Sequence, residues 1–219
     1  MALRYNNEVK IPVGRVVLTG DLSIPINALS IVIFSHGSGS SRFSPRNKMV
    51  AEHLQRKNIG SLLFDLLTEE EDELYQNRFD IELLTKRLIS ATEWLETLPD
   101  AKNCRLGYFG ASTGAASALK ATARLPQIGA VVSRGGRPDL AMEDLDKVDA
   151  PTLLIVGSRD YDVLRLNEEA YKKISGVKKL EIVEGATHLF EERGTMEEVV
   201  DLATDWFQKY LQKFSFVSR

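Results

Sequence analysis

Residues 107–116, GYFGASTGAA, hold a serine between two glycines, in the order Gly110, Ser112, Gly114. An apolar run precedes this pattern and small, helix-favouring residues follow it, so it falls where a strand would turn into a helix. In that context G-x-S-x-G is typical of a nucleophile elbow, because the tight turn leaves no room for large flanking side chains. Ser112 is therefore the candidate nucleophile, and the alternative is a strand–helix turn with an inert serine.

Two later loops carry residues that could complete a catalytic triad with Ser112. Asp160 lies just past the apolar run LLIVG, where a carboxylate could orient an imidazole, and Asp162, farther from the run, is the alternative acid. His188 follows the run KLEIV in a loop opened by Gly185, and it is the candidate general base. The chain order of serine, acid and histidine is the order that accompanies a nucleophile elbow.

A further loop, FSHGSGSSRFSPRN at residues 34–47, follows the apolar run IVIF. A tetrahedral intermediate needs two N–H donors aimed at its oxyanion. We expect these donors to be the backbone N–H groups of Thr113 and Ser38, and we expect His36 and Gly37 to contact the substrate. The alternative is a glycine- and serine-rich loop without a function.

Five arginines lie in loops predicted at the carboxyl ends of strands: Arg42, Arg46, Arg134, Arg137 and Arg159. Arginine suits bidentate contact with a carboxylate or a phosphate, so an anionic acyl substrate is one hypothesis. Arg42, Arg134 and Arg137 are the candidate substrate contacts. Alternatively, the arginines pair with acidic residues of the chain itself, such as Asp65, Asp139 and the stretch 69–73.

These loops are connected by apolar runs that alternate with amphipathic segments. The pattern predicts strands at 15–24, 29–35, 59–65, 105–110, 128–134, 151–158 and 178–185, and helices at 47–58, 79–98, 114–125, 163–174 and 196–214. Apolar and polar residues alternate in 15–24, which predicts a strand at an antiparallel edge of the sheet. The acidic stretch 66–80 is predicted to be a solvated loop. This alternation of strands and helices along the chain indicates an α/β fold with a mostly parallel sheet and helices on both faces.

Size and composition narrow the classes of function. A chain of 219 residues with a net charge of −3 suits one domain, 1–219, and shows no basic stripe for nucleic acid. It has no apolar run of membrane-spanning length and no signal-peptide pattern at its start, so a cytoplasmic location is expected. The single cysteine, Cys104, excludes an internal disulfide and a cysteine metal site. We expect no metal and no organic cofactor, and the oligomeric state stays open.

HGSGSS, GASTG, GSRD and GATHLFEE, in this order and on these elements, resemble the α/β-hydrolase superfamily. The small size and the absence of a helical cap resemble its dienelactone hydrolase branch. HGSGSSRFSPRN, GYFGASTGAA and SRGGRPDL look close to small dienelactone-hydrolase-like proteins that are sometimes joined to phosphoribosyltransferase domains, a segment these 219 residues do not show. The resemblance extends from about residue 15 to the final helix.

The resemblance implies a carboxylesterase-type serine hydrolase with Ser112 as nucleophile, His188 as base and then acid, and Asp160 as orienting carboxylate. The expected substrates are small-molecule esters, including small or anionic acyl esters, lactones and thioesters. The dienelactone hydrolases themselves use a cysteine nucleophile, so dienelactone is not the expected substrate. Two other classes compete. One is a non-catalytic binding module on this fold, and the other is a dinucleotide-binding enzyme read from the pattern Gly37-x-Gly39 with Asp65.

Overall fold

Eight strands form one sheet in the order β1-β2-β4-β3-β5-β6-β7-β8 in the computed structural model, which describes residues 2–212. The strands are Leu3–Val13 (β1), Val16–Pro25 (β2), Ser30–Ser35 (β3), Gly60–Phe64 (β4), Arg105–Ala111 (β5), Ile128–Arg134 (β6), Thr152–Gly157 (β7) and Lys178–Val183 (β8). The pairs β1–β2 and β2–β4 are antiparallel, and all other neighbouring pairs are parallel. The parallel strands thus direct their carboxyl ends, and the loops that follow, to one edge of the sheet.

Helices cover both faces of the sheet. They are Pro45–Arg56 (α1), Glu69–Glu73 (α2), Ile81–Thr97 (α3), Thr113–Arg124 (α4), Tyr161–Lys173 (α5) and Thr195–Leu211 (α6). The apolar residues of α1 and α6 pack on one face, and those of α3, α4 and α5 pack on the other. The central strands are continuous apolar runs because both of their faces are covered in this way.

The two faces of β3 show how the strands divide their side chains. Ile31 and Ile33 point to the α3–α4 side, whereas Val32 and Phe34 point to the α1–α6 side. All four are buried, and the Phe34 ring packs against Phe109 of β5 at 5.1 Å between centroids. Burial of a side chain of this size contributes about 1.5–3 kcal/mol, so these layers hold the site-bearing strand ends in fixed positions.

The predicted α/β class is confirmed, and two local expectations are corrected. Strand β1 was not predicted, and it lies outside β2, so strand 15–24 is second from the edge. The stretch 66–80 is folded rather than simply solvated: it begins with the buried Leu66, contains α2 and a 3₁₀ turn, and forms the ion pairs Arg78–Asp72 and Arg87–Glu71. The end of the last predicted helix, 196–214, lies outside the described residues.

Candidate active site

Ser112 stands at the turn between β5 and α4 in a backbone conformation that L-residues rarely adopt, with φ 51° and ψ −122°. Three backbone hydrogen bonds hold it there. Its N–H donates to the Arg134 carbonyl at 3.2 Å, and its carbonyl accepts from the N–H groups of Ala115 and Arg137, each at 3.1 Å. A strained, over-determined residue at the end of a strand is a feature of functional sites, so the geometry favours a presented nucleophile over an inert turn.

The glycines on either side of Ser112 are required by close backbone contacts. A Cβ on Gly110 would lie 2.5 Å from the Cα of Ala115, and a Cβ on Gly114 would lie 2.1 Å from the Ser35 carbonyl oxygen. Real Cβ contacts are not this short. Gly110 therefore lets β5 turn sharply into α4, and Gly114 lets the first turn of α4 rest on the carboxyl end of β3.

The structure brings together the other two sequence-predicted residues, Asp160 and His188. His188 Nδ1 lies 2.6 Å from Asp160 Oδ2, and the acid side chain is only 14% exposed. A carboxylate can only accept, so Nδ1 carries a proton, and in the neutral ring Nε2 is the nitrogen with a free lone pair. Asp162 lies in the first turn of α5 and is exposed. The geometry therefore favours Asp160 as the orienting acid.

The end of β6 connects the serine to the histidine. Arg134, the last residue of β6, pairs with Ala111 and accepts the Ser112 N–H. The next residue, Gly135, lies against His188, because a Cβ placed on it would be 3.5 Å from His188 Nδ1. Within residues 2–212 no hydrogen bond joins the Ser112 hydroxyl to His188. Hydrogen bonds of this kind are often long before substrate binds, so the arrangement is compatible with a serine and base that engage during reaction.

The loop after β3 lies directly over Ser112 and is fixed by His36. The His36 side chain is partly buried, with Nε2 accepting the Leu66 N–H at 3.1 Å and Nδ1 3.0 Å from the Gly37 carbonyl. Because Nε2 accepts, Nδ1 carries the proton and donates it to that carbonyl. Both ring nitrogens are thus occupied, and His36 positions the loop rather than contacting a substrate through them. The sequence carries no signal for this role, because its partners are backbone groups.

The Gly37–Ser38 peptide is held at both ends. His36 binds its carbonyl, and the Ser38 N–H donates to Thr113 Oγ1 at 2.9 Å. Gly37 itself packs against Ser112, since a Cβ on Gly37 would lie 3.1 Å from Ser112 Cβ. The two expected oxyanion donors, Ser38 and Thr113, therefore lie next to each other and next to Ser112, with the Thr113 hydroxyl as an unforeseen partner of Ser38.

The burial of His36 predicts how stability depends on pH. Desolvation lowers the pKa of this imidazole below its ordinary value, and it outweighs the opposing effects of the Gly37 hydrogen bond and the nearby Asp65 and Asp72. The unfolded chain then binds more protons than the folded one, so stability falls as pH drops through about 6.5, by up to about 1.4 kcal/mol per pH unit. Urea unfolding at pH 5 to 8 should show this fall in the wild-type protein.

The same fall should be largely lost in His36→Gln, even though that variant is less stable at every pH. NMR titration of the His36 ring in the folded wild-type protein provides an independent measurement. A His36 resonance that titrates at or above the ordinary histidine value would contradict the prediction.

The arginine candidates separate into paired and unpaired groups. Arg42 lies within 3.7 Å of carboxylate oxygens of Glu8, Asp21 and Asp65. Arg137 forms a bidentate pair with Asp139 at 2.8 and 2.9 Å. The chain's own carboxylates therefore account for these two charges, as the alternative interpretation held.

Two other arginines, Arg46 and Arg134, are arranged differently. Arg46 pairs with Glu191 at 3.2 Å on the surface. Arg134 is buried and has no carboxylate partner among residues 2–212. It is thus the one of the three candidate contacts whose charge the described residues leave unpaired.

A cleft of about 710 Å³ lies on the β1–β2 side of the loop after β3. Its charged lining is mainly acidic, comprising Glu8, Asp65, Glu69, Glu70 and Asp72 with Lys10 and Arg42. Neither Ser112 nor His188 lines it. Ser112 is half-buried and lies outside this cleft. In residues 2–212 no cluster of three or more potential ligands could hold a metal ion, and none of the helices there has the length and apolarity needed to cross a membrane.

Comparison with known proteins places these features in a family. Residues 49–217 match the model of the dienelactone hydrolase family. A solved dienelactone hydrolase from Anabaena variabilis ATCC 29413 is 51% identical, with a TM-score of 0.92 over 95% of this chain and 99% of that one. Est1E from Butyrivibrio proteoclasticus has a TM-score of 0.80 at 15% identity over 92% of this chain and 98% of its own, and shares the fold alone.

The curated relatives that match this chain are longer than the chain itself. A Mycobacterium tuberculosis (strain H37Rv) protein named "Putative phosphoribosyl transferase" is 55% identical over 94% of this chain but only 47% of its own length. The chain thus spans about half the length of the curated relatives it matches. Ser112 and the Asp160–His188 pair lie within the stretch that the family model covers.

Proposed function

The chain belongs to the dienelactone hydrolase family, and from this we propose that it is a serine hydrolase that cleaves small ester-type substrates. One observation carries the proposal: Asp160 contacts His188 Nδ1 at 2.6 Å, close to a serine held in a strained turn. An acid, an oriented imidazole and a presented hydroxyl are the parts that nucleophilic acyl transfer requires.

In the first half-reaction, the Ser112 hydroxyl gives its proton to His188 Nε2 as Oγ attacks the substrate carbonyl carbon. Asp160 stabilises the imidazolium that forms through the bond at Nδ1. The carbonyl oxygen becomes an oxyanion that accepts the N–H of Thr113 and the N–H of Ser38. The second of these already faces Thr113 Oγ1, because His36 holds the carbonyl of the same peptide. The Ser38 N–H must therefore exchange or share this partner when the oxyanion forms.

Collapse of the intermediate breaks the bond to the leaving group, which takes the proton from His188. Water then attacks the acyl-enzyme and gives a proton to the same nitrogen. His188 returns this proton to Ser112 Oγ as the ester bond breaks, which releases the acid and restores the serine hydroxyl. No step needs a metal or an organic cofactor. Phosphoribosyl transfer is not proposed for these residues, because the strained serine and the Asp160–His188 pair support acyl transfer.

The lack of a large cap among the described residues supports short acyl groups over long lipid chains, because little apolar surface is available to cover a long chain. Among residues 2–212 no helical segment covers the carboxyl edge of the sheet as a large cap would. Esters, thioesters and lactones share the same electrophilic carbonyl, so a panel of short substrates of each kind identifies the preferred leaving group.

Covalent labelling with a fluorophosphonate tests the proposal directly. We expect one adduct per chain, mapped to the peptide that contains Ser112, and no adduct on Ser112→Ala. Ser117→Ala is a matched control, since the hydroxyl of this buried serine of α4 bonds to Ser35 and Gly114 and to no other residue among 2–212. A folded wild-type protein that is not labelled and hydrolyses no ester of the panel would contradict the proposal and favour a non-catalytic binding module.

A further inference from the structure

Asn167 is a fully buried amide in the middle of α5. Such a residue is costly there in two ways, because asparagine is a poor helix former and a buried amide loses its hydration. Among the described residues Oδ1 of Asn167 has no hydrogen-bond partner, whereas Nδ2 donates two hydrogen bonds. The N–H bonds are therefore what this buried side chain contributes to the structure.

One of the two bonds is local and the other reaches a distant segment. Nδ2 donates to the carbonyl of Val163, one turn earlier in α5, at 2.8 Å, and to the carbonyl of Gly136 at 3.0 Å. A carbonyl inside an α-helix already accepts the backbone N–H four residues further on, so the bond to Val163 adds little. The bond to Gly136 is the one that connects α5 to the segment after β6.

The peptide between Gly136 and Arg137 joins Asn167 to the candidate nucleophile. Its carbonyl accepts from Asn167 Nδ2, and its N–H, which belongs to Arg137, donates to the Ser112 carbonyl at 3.1 Å. Both groups belong to one planar unit, so a rotation of this peptide would break both bonds together. The positive φ of Ser112 persists only where surrounding contacts hold it. Asn167 thus supports the strained turn through one intervening peptide.

The same segment also contacts the candidate base. Gly135 lies against His188, as described above, and the adjoining Gly136 is closely packed. A Cβ on Gly136 would lie 2.0 Å from Ser133 Oγ and 2.7 Å from Ala115 Cβ. The segment is therefore confined between β6 and the start of α4, and its peptide planes have little freedom to find other hydrogen-bond partners.

Helix α5 carries the orienting acid as well as Asn167. Asp160 is the N-cap residue of α5, and it precedes Asn167 by about two helical turns, which places both residues near the same face of the helix. Asp160 holds His188 at one end of this rigid element, and Asn167 holds the Gly136 carbonyl in its middle. The bond from Asn167 therefore connects the acid–base pair to the turn that presents Ser112.

We propose that Asn167 is a positioning residue, which keeps Ser112 and the Asp160–His188 pair in one arrangement by holding the Gly136–Arg137 peptide. The inference rests on the proposed function and goes beyond the three triad residues. Asn167 contacts neither the substrate nor the reacting atoms in this proposal, so its removal should affect kcat rather than KM.

Asn167→Leu tests the proposal, because leucine has a similar volume and no N–H donor. We expect kcat for a short p-nitrophenyl ester to fall about 100-fold and KM to change less than about threefold, since a misplacement of about 1 Å costs a catalytic group about that factor. Thr92→Val is the matched control. It removes a buried hydroxyl that bonds to the Tyr108 hydroxyl at 2.6 Å, so it should lower Tm but keep kcat within about threefold.

Asn167→Asp separates positioning from packing, because its shape is almost unchanged. A protonated carboxyl can donate one hydrogen bond to the Gly136 carbonyl, whereas the ionised form can only accept. Burial raises the pKa of a carboxyl group, so the donor is present at low pH and is lost as pH rises through that raised pKa. The ratio of the variant's kcat to that of the wild type should therefore fall with rising pH.

Amide hydrogen exchange provides a readout that does not depend on activity. The Arg137 N–H, which donates to Ser112, should exchange at least about tenfold faster in Asn167→Leu than in the wild type, because its peptide loses a fixed carbonyl partner. In Thr92→Val the same N–H should exchange at nearly the wild-type rate.

Wild-type kcat in a folded Asn167→Leu protein would overturn the inference, and so would an equal fall of kcat in Thr92→Val. If Asn167→Leu does not fold, a pH-independent kcat ratio in Asn167→Asp overturns it instead. Failure of the proposed function gives a different result: the wild-type protein would neither be labelled by a fluorophosphonate nor hydrolyse an ester. Faster exchange at Arg137 in Asn167→Leu would then still support the link between Asn167 and the Ser112 turn.

Discussion

Replacing Asp160 by asparagine is expected to lower kcat about 10⁴-fold on any ester that the wild-type protein hydrolyses. The amide can turn its NH₂ group toward His188 Nδ1, now 2.6 Å from the carboxylate, and so favour the tautomer with the proton on Nε2. That tautomer cannot accept the Ser112 proton, and the imidazolium also loses its stabilising charge. KM should change little, because Asp160 does not contact the substrate. Steady-state kinetics with a short p-nitrophenyl ester measures both constants.

Asp162→Asn is the matched control for this prediction. Its carboxylate is exposed in the first turn of α5 and is two positions from Asp160, so the substitution removes the same charge from the same loop. We expect kcat to stay within about threefold of the wild type, since an exposed helix-start carboxylate interacts weakly. A larger loss in Asp162→Asn than in Asp160→Asn would reverse the assignment of the acid.

The second large effect concerns stability rather than chemistry. Gly114→Ala is expected to destabilise the fold by about 3 kcal/mol or more. Helix propensity alone argues for the opposite sign, because alanine is about 1 kcal/mol better than glycine inside a helix. The added Cβ, however, would lie 2.1 Å from the Ser35 carbonyl oxygen and 2.4 Å from that of His36. These atoms are backbone at the end of a buried strand and cannot move aside, so the steric effect dominates.

Urea unfolding measures the change, with Gly185→Ala as the comparison. Gly185 has a φ of +74° but open space around its Cβ position, so its substitution should lower the free energy of unfolding by only about 1 kcal/mol. Equal stability of Gly114→Ala and the wild-type protein would show that α4 does not need this contact with β3. Fluorophosphonate labelling of any folded Gly114→Ala protein then shows whether the elbow survives.

The parallel core of the fold could be predicted because its local signals and its tertiary context agree. Each of the strands β3 to β7 contains a continuous apolar run, such as IVIF in β3 and LLIV in β7, and a helix on each face requires that pattern. Strand β1 was missed because RYNNEV reads as polar. Its buried residues Val9, Ile11 and Val13 do alternate, but only at the end of the strand next to the hairpin. Three alternating apolar residues beside a polar stretch are a weak indication of a strand.

The sequence predicts those site residues that stand in a loop directly after a strand. It does not predict contacts between residues that are far apart in the chain. The elbow, the acid loop and the histidine loop each follow a strand directly. By contrast, Arg42 is neutralised by Glu8, and His36 is fixed by the backbone of Leu66, and neither pairing has a sequence signature. The lack of a carboxylate partner for Arg134 among the described residues is likewise visible only in the folded structure. The sequence alone does not show that Arg134 is unpaired and Arg137 is paired.

The order of the strands determines when each residue of the proposed site becomes available during synthesis of the chain. Ser112 follows β5, Asp160 follows β7 and His188 follows β8, and from β5 to β8 the strands lie side by side in the order in which the chain is synthesised. The proposed mechanism needs all three loops, and the last of them follows the last strand. If that mechanism holds, we expect a chain truncated before β8 to have no esterase activity even where its elbow forms.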